Sequence, residues 1–247
     1  MSHHVIEARD VWFSYPDGAE ALRGVSFRIT HGEAVGIVGC NGAGKSTLLL
    51  HLNGFLTPTR GEVRIGDVPL TRQTAALARR AVGLVFQDPD DQLFMPTVFD
   101  DVAFGPLNMG LSEADVEQRV AGALGRVNMT HLRERPPHKL SAGEKRAVAI
   151  ATVLAMAPDV LVMDEPTSNL DPRARRRLIG LLQGFEHTRI IATHDLELVV
   201  EVCSRVMVMD AGRIVAEGPA ADLLNDEPLM LAHGLERPHS LRHRHPH

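Results

Sequence analysis

Residues Gly39-Cys40-Asn41-Gly42-Ala43-Gly44-Lys45-Ser46-Thr47 form a complete G-x-x-x-x-G-K-[ST] phosphate loop, and its flanks limit the folds that can carry it. The apolar run Ala34-Val35-Gly36-Ile37-Val38 leads in as a buried strand, and Thr47 to Leu52 leads out as a helix. Strand, glycine loop and helix in that order belong to an α/β fold. The glycines let the backbone curl so that successive N–H groups face phosphate oxygens, and the helix N-terminus adds a dipole that favours anions. Lys45 is placed to reach the β- and γ-phosphates, and the Ser46 hydroxyl to ligate Mg²⁺. Gly39, Asn41, Gly42, Gly44, Lys45, Ser46 and Thr47 are therefore the expected contacts to a nucleoside triphosphate.

The chain has 247 residues, enough for one domain with a subdomain. Its formal net charge of -5 argues against nucleic-acid binding that relies on bulk positive charge, so no nucleic-acid partner is expected. Two cysteines, Cys40 and Cys203, are too few for a disulfide framework, and a thiol inside the phosphate loop fits a reducing cytoplasmic setting. The first ten residues lack a basic segment followed by an apolar stretch, so no signal peptide is expected. The longest apolar run, Ala147 to Ala157, falls short of the ~20 residues of a membrane span and stops at Pro158. A membrane role would come through a partner.

Compact apolar runs at Val82–Phe86, Val160–Met163 and Ile190–Thr193 read as buried parallel strands. Val5–Phe13, Leu22–Ile29 and Glu62–Ile65 read as further strands, and Arg205–Met209 with Arg213–Ala216 as a hairpin. Helical periodicity runs through Glu113–Val127, Ala142–Ala157, Pro172–Leu182 and Asp195–Cys203. The sum is an α/β core with a largely helical insertion at about 88–157. The His-rich, Pro-broken stretch at 236–247 reads as a disordered tail.

Two further motifs narrow the chemistry. Val160-Leu161-Val162-Met163 ends in Asp164-Glu165, placing one carboxylate to hold Mg²⁺ and the next to polarise an attacking water. Leu140-Ser141-Ala142-Gly143-Glu144-Lys145-Arg146 opens a helix, with Ser141 also fit to cap it. With the phosphate loop, this segment resembles the L-S-G-G-Q signature of ATP-binding-cassette (ABC) ATPases, departing from it at Ala142 and Glu144.

The resemblance covers about residues 4–230 and implies an ABC nucleotide-binding domain over 1–235. Its parts would be a RecA-like core, an antiparallel β subdomain and an α-helical signature subdomain. It implies that Tyr15 stacks on adenine, that Gln87 joins Mg²⁺, and that Ser141 and Gly143 reach the γ-phosphate. It also implies that Asp171 lies in the loop meeting an opposite subunit and that His194 is the switch histidine. Catalysis would rest on Glu165, His194 and Lys45, the metal on Ser46, Gln87 and Asp164, with ATP and Mg²⁺ as ligands. Each ATP would be sandwiched between two chains; with Glu165, His194 and the signature all in one chain a homodimer is expected, and a heterodimer with a paralogue is the alternative.

Phe86-Gln87-Asp88-Pro89-Asp90-Asp91-Gln92-Leu93-Phe94, with Pro96 to Asn108, resembles the ATPases of energy-coupling-factor (ECF) importers of the cobalt and nickel type. That implies peripheral attachment at the cytoplasmic face of the cell membrane. The partners would be a transmembrane coupling protein and a substrate-binding membrane protein. Asp90, Asp91 and Gln92 would receive arginines there, and Leu93, Phe94 and Met95 would form an exposed apolar patch. Cobalt is the first cargo implied, then nickel, with a vitamin such as biotin as the alternative. The tail histidines His239, His243, His245 and His247 suit transition metals. A soluble ABC ATPase acting on DNA or ribosomes would carry long coiled-coil insertions or a second cassette, and this chain has neither.

Overall fold

The computed structural model describes residues 4–242. The chain enters with β1 (His4–Ser14) and β2 (Glu20–Thr30), then β3 (Ala34–Val38), the phosphate loop and α1 (Lys45–Leu52). β4 (Arg60–Ile65), β5 (Val68–Pro69), α2 (Ala75–Ala81) and β6 (Val82–Val85) follow. Three helices come next: α3 (Val98–Asn108), α4 (Glu113–Arg126) and α5 (Ala142–Ala155). The chain then returns through β7 (Val160–Asp164), α6 (Pro172–Gln183), β8 (Thr188–Thr193), α7 (Leu196–Val202), β9 (Arg205–Asp210) and β10 (Arg213–Pro219). Short helices α8 (Ala220–Leu223), α9 (Glu227–Ala232) and α10 (His239–Arg242) close it.

One sheet is antiparallel, in the order β2-β1-β4-β5. The other has the order β10-β9-β3-β8-β7-β6 and is parallel apart from β10 at its edge. Every residue of β3, β6 and β7 is buried, which is why these strands read as unbroken apolar runs. One apolar core lies between the antiparallel sheet, α1 and one side of the parallel sheet, where Ile6, Leu22, Ile29, Leu48 and Leu52 meet. The other joins α3, α4 and α5 to the opposite side through residues such as Val102, Leu124, Ile150 and Leu161.

The register places the chemistry. Val38, the last residue of β3, pairs with Thr193, the last of β8, and Asp164 of β7 pairs with Ala192. Three neighbouring parallel strands thus end together, and the segments following them emerge side by side on one edge of the sheet. Helix caps fix the starts of two further elements. Ser112 caps α4, and Asp171 caps α6 by accepting from Arg173 and Ala174 N–H. Those two N–H groups hold the Asp171 carboxyl below the ordinary range.

Of the stretch 236–247, expected to be a disordered tail, the described part runs to residue 242. Leu241 is 4% exposed within the helical-side core, and Ser240 N donates to Glu197 Oε1 at 3.2 Å. One apolar residue and one capping carboxylate seat a segment whose composition is otherwise polar. His239 belongs to this seated part; His243, His245 and His247 lie outside the described residues.

Candidate nucleotide site

The phosphate loop leaves β3 and closes into α1 through Gly44, whose φ is 99°. A Cβ at this position would stand 2.6 Å from the Ala21 carbonyl oxygen, so the loop passes beneath β2 only with glycine there. Gly44 brings no side-chain cap, which leaves the first-turn N–H groups of α1 for an anion. Lys45 is 6% exposed. Its ammonium donates to Gly39 O at 2.8 Å and Cys40 O at 3.2 Å, and stands 3.9 Å from Glu165 Oε1. Phosphate oxygens entering the loop would replace those carbonyls as stronger, charge-assisted acceptors.

Glu165 follows β7 with φ 44°, a left-handed conformation that costs a non-glycine residue free energy. The end of β8 holds it there. Glu165 N donates to Ala192 O at 2.8 Å, extending the ladder one residue past the strand. Its carboxylate accepts from Thr193 Oγ1 at 3.0 Å and from His194 N at 3.1 Å, and lies 2.9 Å from His194 Nδ1. Glu165 is buried, while the His194 side chain remains largely exposed.

Asp164 is buried, and burial raises its pKa, opposed by a hydrogen bond from the Ser46 side chain and raised further by Glu165. Its Oδ1 has no hydrogen-bond partner among the described residues. Ser46, Gln87 and Asp164 line one groove, so the donors available there are all oxygens around a buried carboxylate with a spare lone pair. That set suits a hard divalent cation such as Mg²⁺.

Tyr15 stands at the rim of the loop, its hydroxyl 3.0 Å from Thr47 Oγ1 and its ring edge-on to Phe13 at 5.0 Å. Asn41 and Gly42 are exposed at the loop's tip. The structure thus brings together Lys45, Ser46, Gln87, Asp164, Glu165 and His194. It does not bring Ser141, Gly143 and Asp171 to the same place. These line a second cavity of about 280 Å³ between α4, α5 and α6, which among the described residues shares only Arg146 with the groove holding Ser46 and Asp164. At the start of α5, Glu144 accepts from Ser141 N and Oγ, both at 2.8 Å, completing a reciprocal cap. The departure from glutamine at position 144 is accommodated by that cap, and the bonds from Ser141 hold the Glu144 carboxyl below its usual range.

The segment after Gln87 requires two corrections. Gln92 is not free for a partner: Nε2 donates to Ala149 O at 2.8 Å and Thr152 Oγ1 at 2.7 Å, and Oε1 accepts from Phe86 N at 3.1 Å. Leu93 is not exposed but buried in the core beside α3. Of the remaining candidates, Asp90 and Asp91 are exposed, with Lys145 Nζ 2.6 Å from Asp90 Oδ1. Phe94 is exposed and stacks edge-on with the exposed Phe104 at 5.1 Å, and Leu107 extends the patch along α3. Sequence reasoning missed Phe104 and Leu107 as surface residues. Their spacing of three along one helix was the available signal.

A family model for ABC transporters matches residues 22–168. A protein of Geobacter sulfurreducens named an ABC transporter ATP-binding protein is 62% identical over 242 residues, covering 98% of this chain and 97% of the relative. The energy-coupling factor transporter ATP-binding protein EcfA of Methanothermobacter thermautotrophicus is 47% identical over 239 residues, covering 95% of this chain and 77% of the relative. Among solved structures, cbiO1 from Clostridium perfringens, described as part of the ABC transporter complex cbiONQ, superposes with a TM-score of 0.82. It shares 39% identity, over 93% of this chain and 94% of that one.

Proposed function

This chain belongs to the ABC transporter family as an ATP-binding subunit, and from that premise we propose that it hydrolyses ATP to drive an ECF-type importer of cobalt, or else nickel. The observation carrying the ATPase role is the convergence of Lys45, Glu165 and His194 where β3, β7 and β8 end side by side. Lys45 offsets the charge that spreads over the transferring phosphoryl group. Glu165, clamped by Thr193 and His194, accepts a hydrogen bond from the attacking water and orients it; the products are ADP and phosphate. His194, at the open edge beside it, would contact the γ-phosphate. Ser46, Gln87 and Asp164 would hold Mg²⁺, which when bound supplies positive charge to the phosphate oxygens. Tyr15 offers its ring to the adenine.

Ser141, Gly143 and Asp171 occupy a different cavity, and this separation supports a two-chain site. A second copy would present its Ser141 and Gly143 to the phosphates bound by the first, with Asp171 at the seam. All the elements of both sites are present in one sequence, which supports a homodimer.

The coupling role rests on the surface after Gln87. Asp90 and Asp91 offer carboxylates to arginines of a transmembrane coupling protein, and Phe94, Phe104 and Leu107 offer an adjoining apolar patch. Among the described residues, no helix is long and apolar enough to cross a membrane, so attachment at the cytoplasmic face would be through that partner, alongside a substrate-binding membrane protein. Reversing both charges, Asp90→Lys with Asp91→Lys, should detach the coupling protein in pull-down and lower transport at least about 10-fold, since like charges across an interface cost several kcal/mol. ATP affinity should stay unchanged. Normal assembly and transport by this variant would remove the proposed contact. The EcfA relative's name carries no metal. Accumulation of biotin in place of metal would select the vitamin cargo.

A further inference from the structure

The ladder holding β6 against β7 stops with Val85 opposite Met163. Gln87 lies two residues beyond, in the groove with Ser46 and Asp164, so the sheet does not fix its backbone. Side chains anchored on α5 do. Arg146 donates from Nη1 to Phe86 O at 2.8 Å and from Nη2 to Gln87 O at 2.6 Å. Gln92 ties Phe86 N to Ala149 and Thr152 of the same helix. The backbone groups that β6 leaves unpaired at its end are thus satisfied by Arg146 of α5 and by Gln92, itself bonded to α5, the helix whose first turn carries Gly143 and whose cap is Ser141.

Arg146 is an unusual residue for this place. It is 3% exposed, its Nε has no partner, and it makes no ion pair among the described residues. Burial lowers its pKa, with Asp88 and Asp164 opposing that at longer range. A buried cation without a direct counter-ion is costly, and an apolar side chain would fill the same space at less cost. What the guanidinium provides that an apolar residue cannot is the pair of bonds to Phe86 and Gln87. Among the described residues it is also the one that lines both the groove of Ser46 and Asp164 and the cavity of Ser141 and Gly143.

We propose that Arg146 is a positioning residue for ATP hydrolysis, acting through Gln87 to make the nucleotide groove and the signature end of α5 move as one body. This deepens the ATPase role above and rests on it.

The test is steady-state ATP hydrolysis by the full chain and by Arg146→Met, Arg146→Lys, Gln87→Ala and the Gln87→Ala/Arg146→Met double variant. Arg146→Met should lower kcat about 10-fold with KM for ATP within about threefold, because it removes positioning rather than binding. Arg146→Lys, which keeps the charge and one or two donors, should recover part of that loss. In the Gln87→Ala background, Arg146→Met should cost less than about twofold more: the carbonyl of residue 87 still takes the arginine's bond, but the side chain that this bond positions is already gone. Losses that multiply in the double variant, or a KM and melting temperature that move with kcat, would show a merely structural role and overturn the proposal. If Arg146→Met does not fold, the same cycle is read with Arg146→Lys. Turnover by the unmodified chain is the control: its absence would overturn the ATPase role itself, whereas multiplying losses beside normal turnover would overturn only the role of Arg146.

Discussion

Glu165→Gln lowers steady-state ATP hydrolysis by about 10²–10⁴-fold, the range for losing a positioned general base, while ATP still binds. The substitution is close to isosteric, so it isolates chemistry from packing. A glutamine carbonyl oxygen can keep the bonds from Thr193 Oγ1 and His194 N that hold residue 165 in its left-handed conformation. What it cannot do is take a proton from water. The negative charge 3.9 Å from Lys45 also disappears, which removes an attraction that competes with phosphate for the ammonium. Nucleotide affinity should therefore hold or rise. With hydrolysis blocked, two chains closed on ATP have no route back. Size-exclusion of this variant should show a dimer in Mg²⁺ and ATP and a monomer in Mg²⁺ and ADP. Phosphate release within tenfold of the unmodified chain would show that Glu165 does not have this role.

Lys45→Met acts on the other half of the site. It removes a buried cation that donates to two loop carbonyls, and it leaves those of Gly39 and Cys40 without that partner. Hydrogen bonds to charged groups contribute about 1.5–3 kcal/mol each, so ATP affinity should fall about 10- to 100-fold. Titration with a fluorescent ATP analogue reads the affinity directly, and a melting curve run beside it separates lost binding from lost structure. Unchanged affinity in a folded variant would mean that the loop holds no phosphate at Lys45. The two substitutions are diagnostic together: one should abolish turnover and spare binding, the other should weaken binding first.

These expectations could be drawn from sequence because the residues behind them are local. The phosphate loop and the Asp164-Glu165 pair each sit at the end of a fully apolar run, and such runs have few places to go but the middle of a parallel sheet. Once those strands are placed, their C-terminal ends must share an edge, and the convergence of Lys45, Glu165 and His194 follows from topology.

What sequence could not show depends on contacts between distant segments. Nothing in Leu93-Phe94-Met95 says which of three neighbouring apolar residues turns inward. Only the packing of α3 buries Leu93 and leaves Phe94 stacked on Phe104. Gln92 reads as a surface amide until α5 is seen beside it, with the Ala149 carbonyl and Thr152 hydroxyl in reach. Arg146 reads as one more charge after the signature. Its burial and its two bonds to Phe86 and Gln87 depend on how β6 ends against α5, which no local pattern encodes.

The most direct test of the account is uptake of radiolabelled Co²⁺ and Ni²⁺ by cells carrying the whole transporter, with either this chain or its Glu165→Gln form as the ATPase. The account predicts that cells with the unmodified chain accumulate cobalt, or else nickel, and that cells with Glu165→Gln do not. Equal accumulation of both metals by the two sets of cells would contradict it.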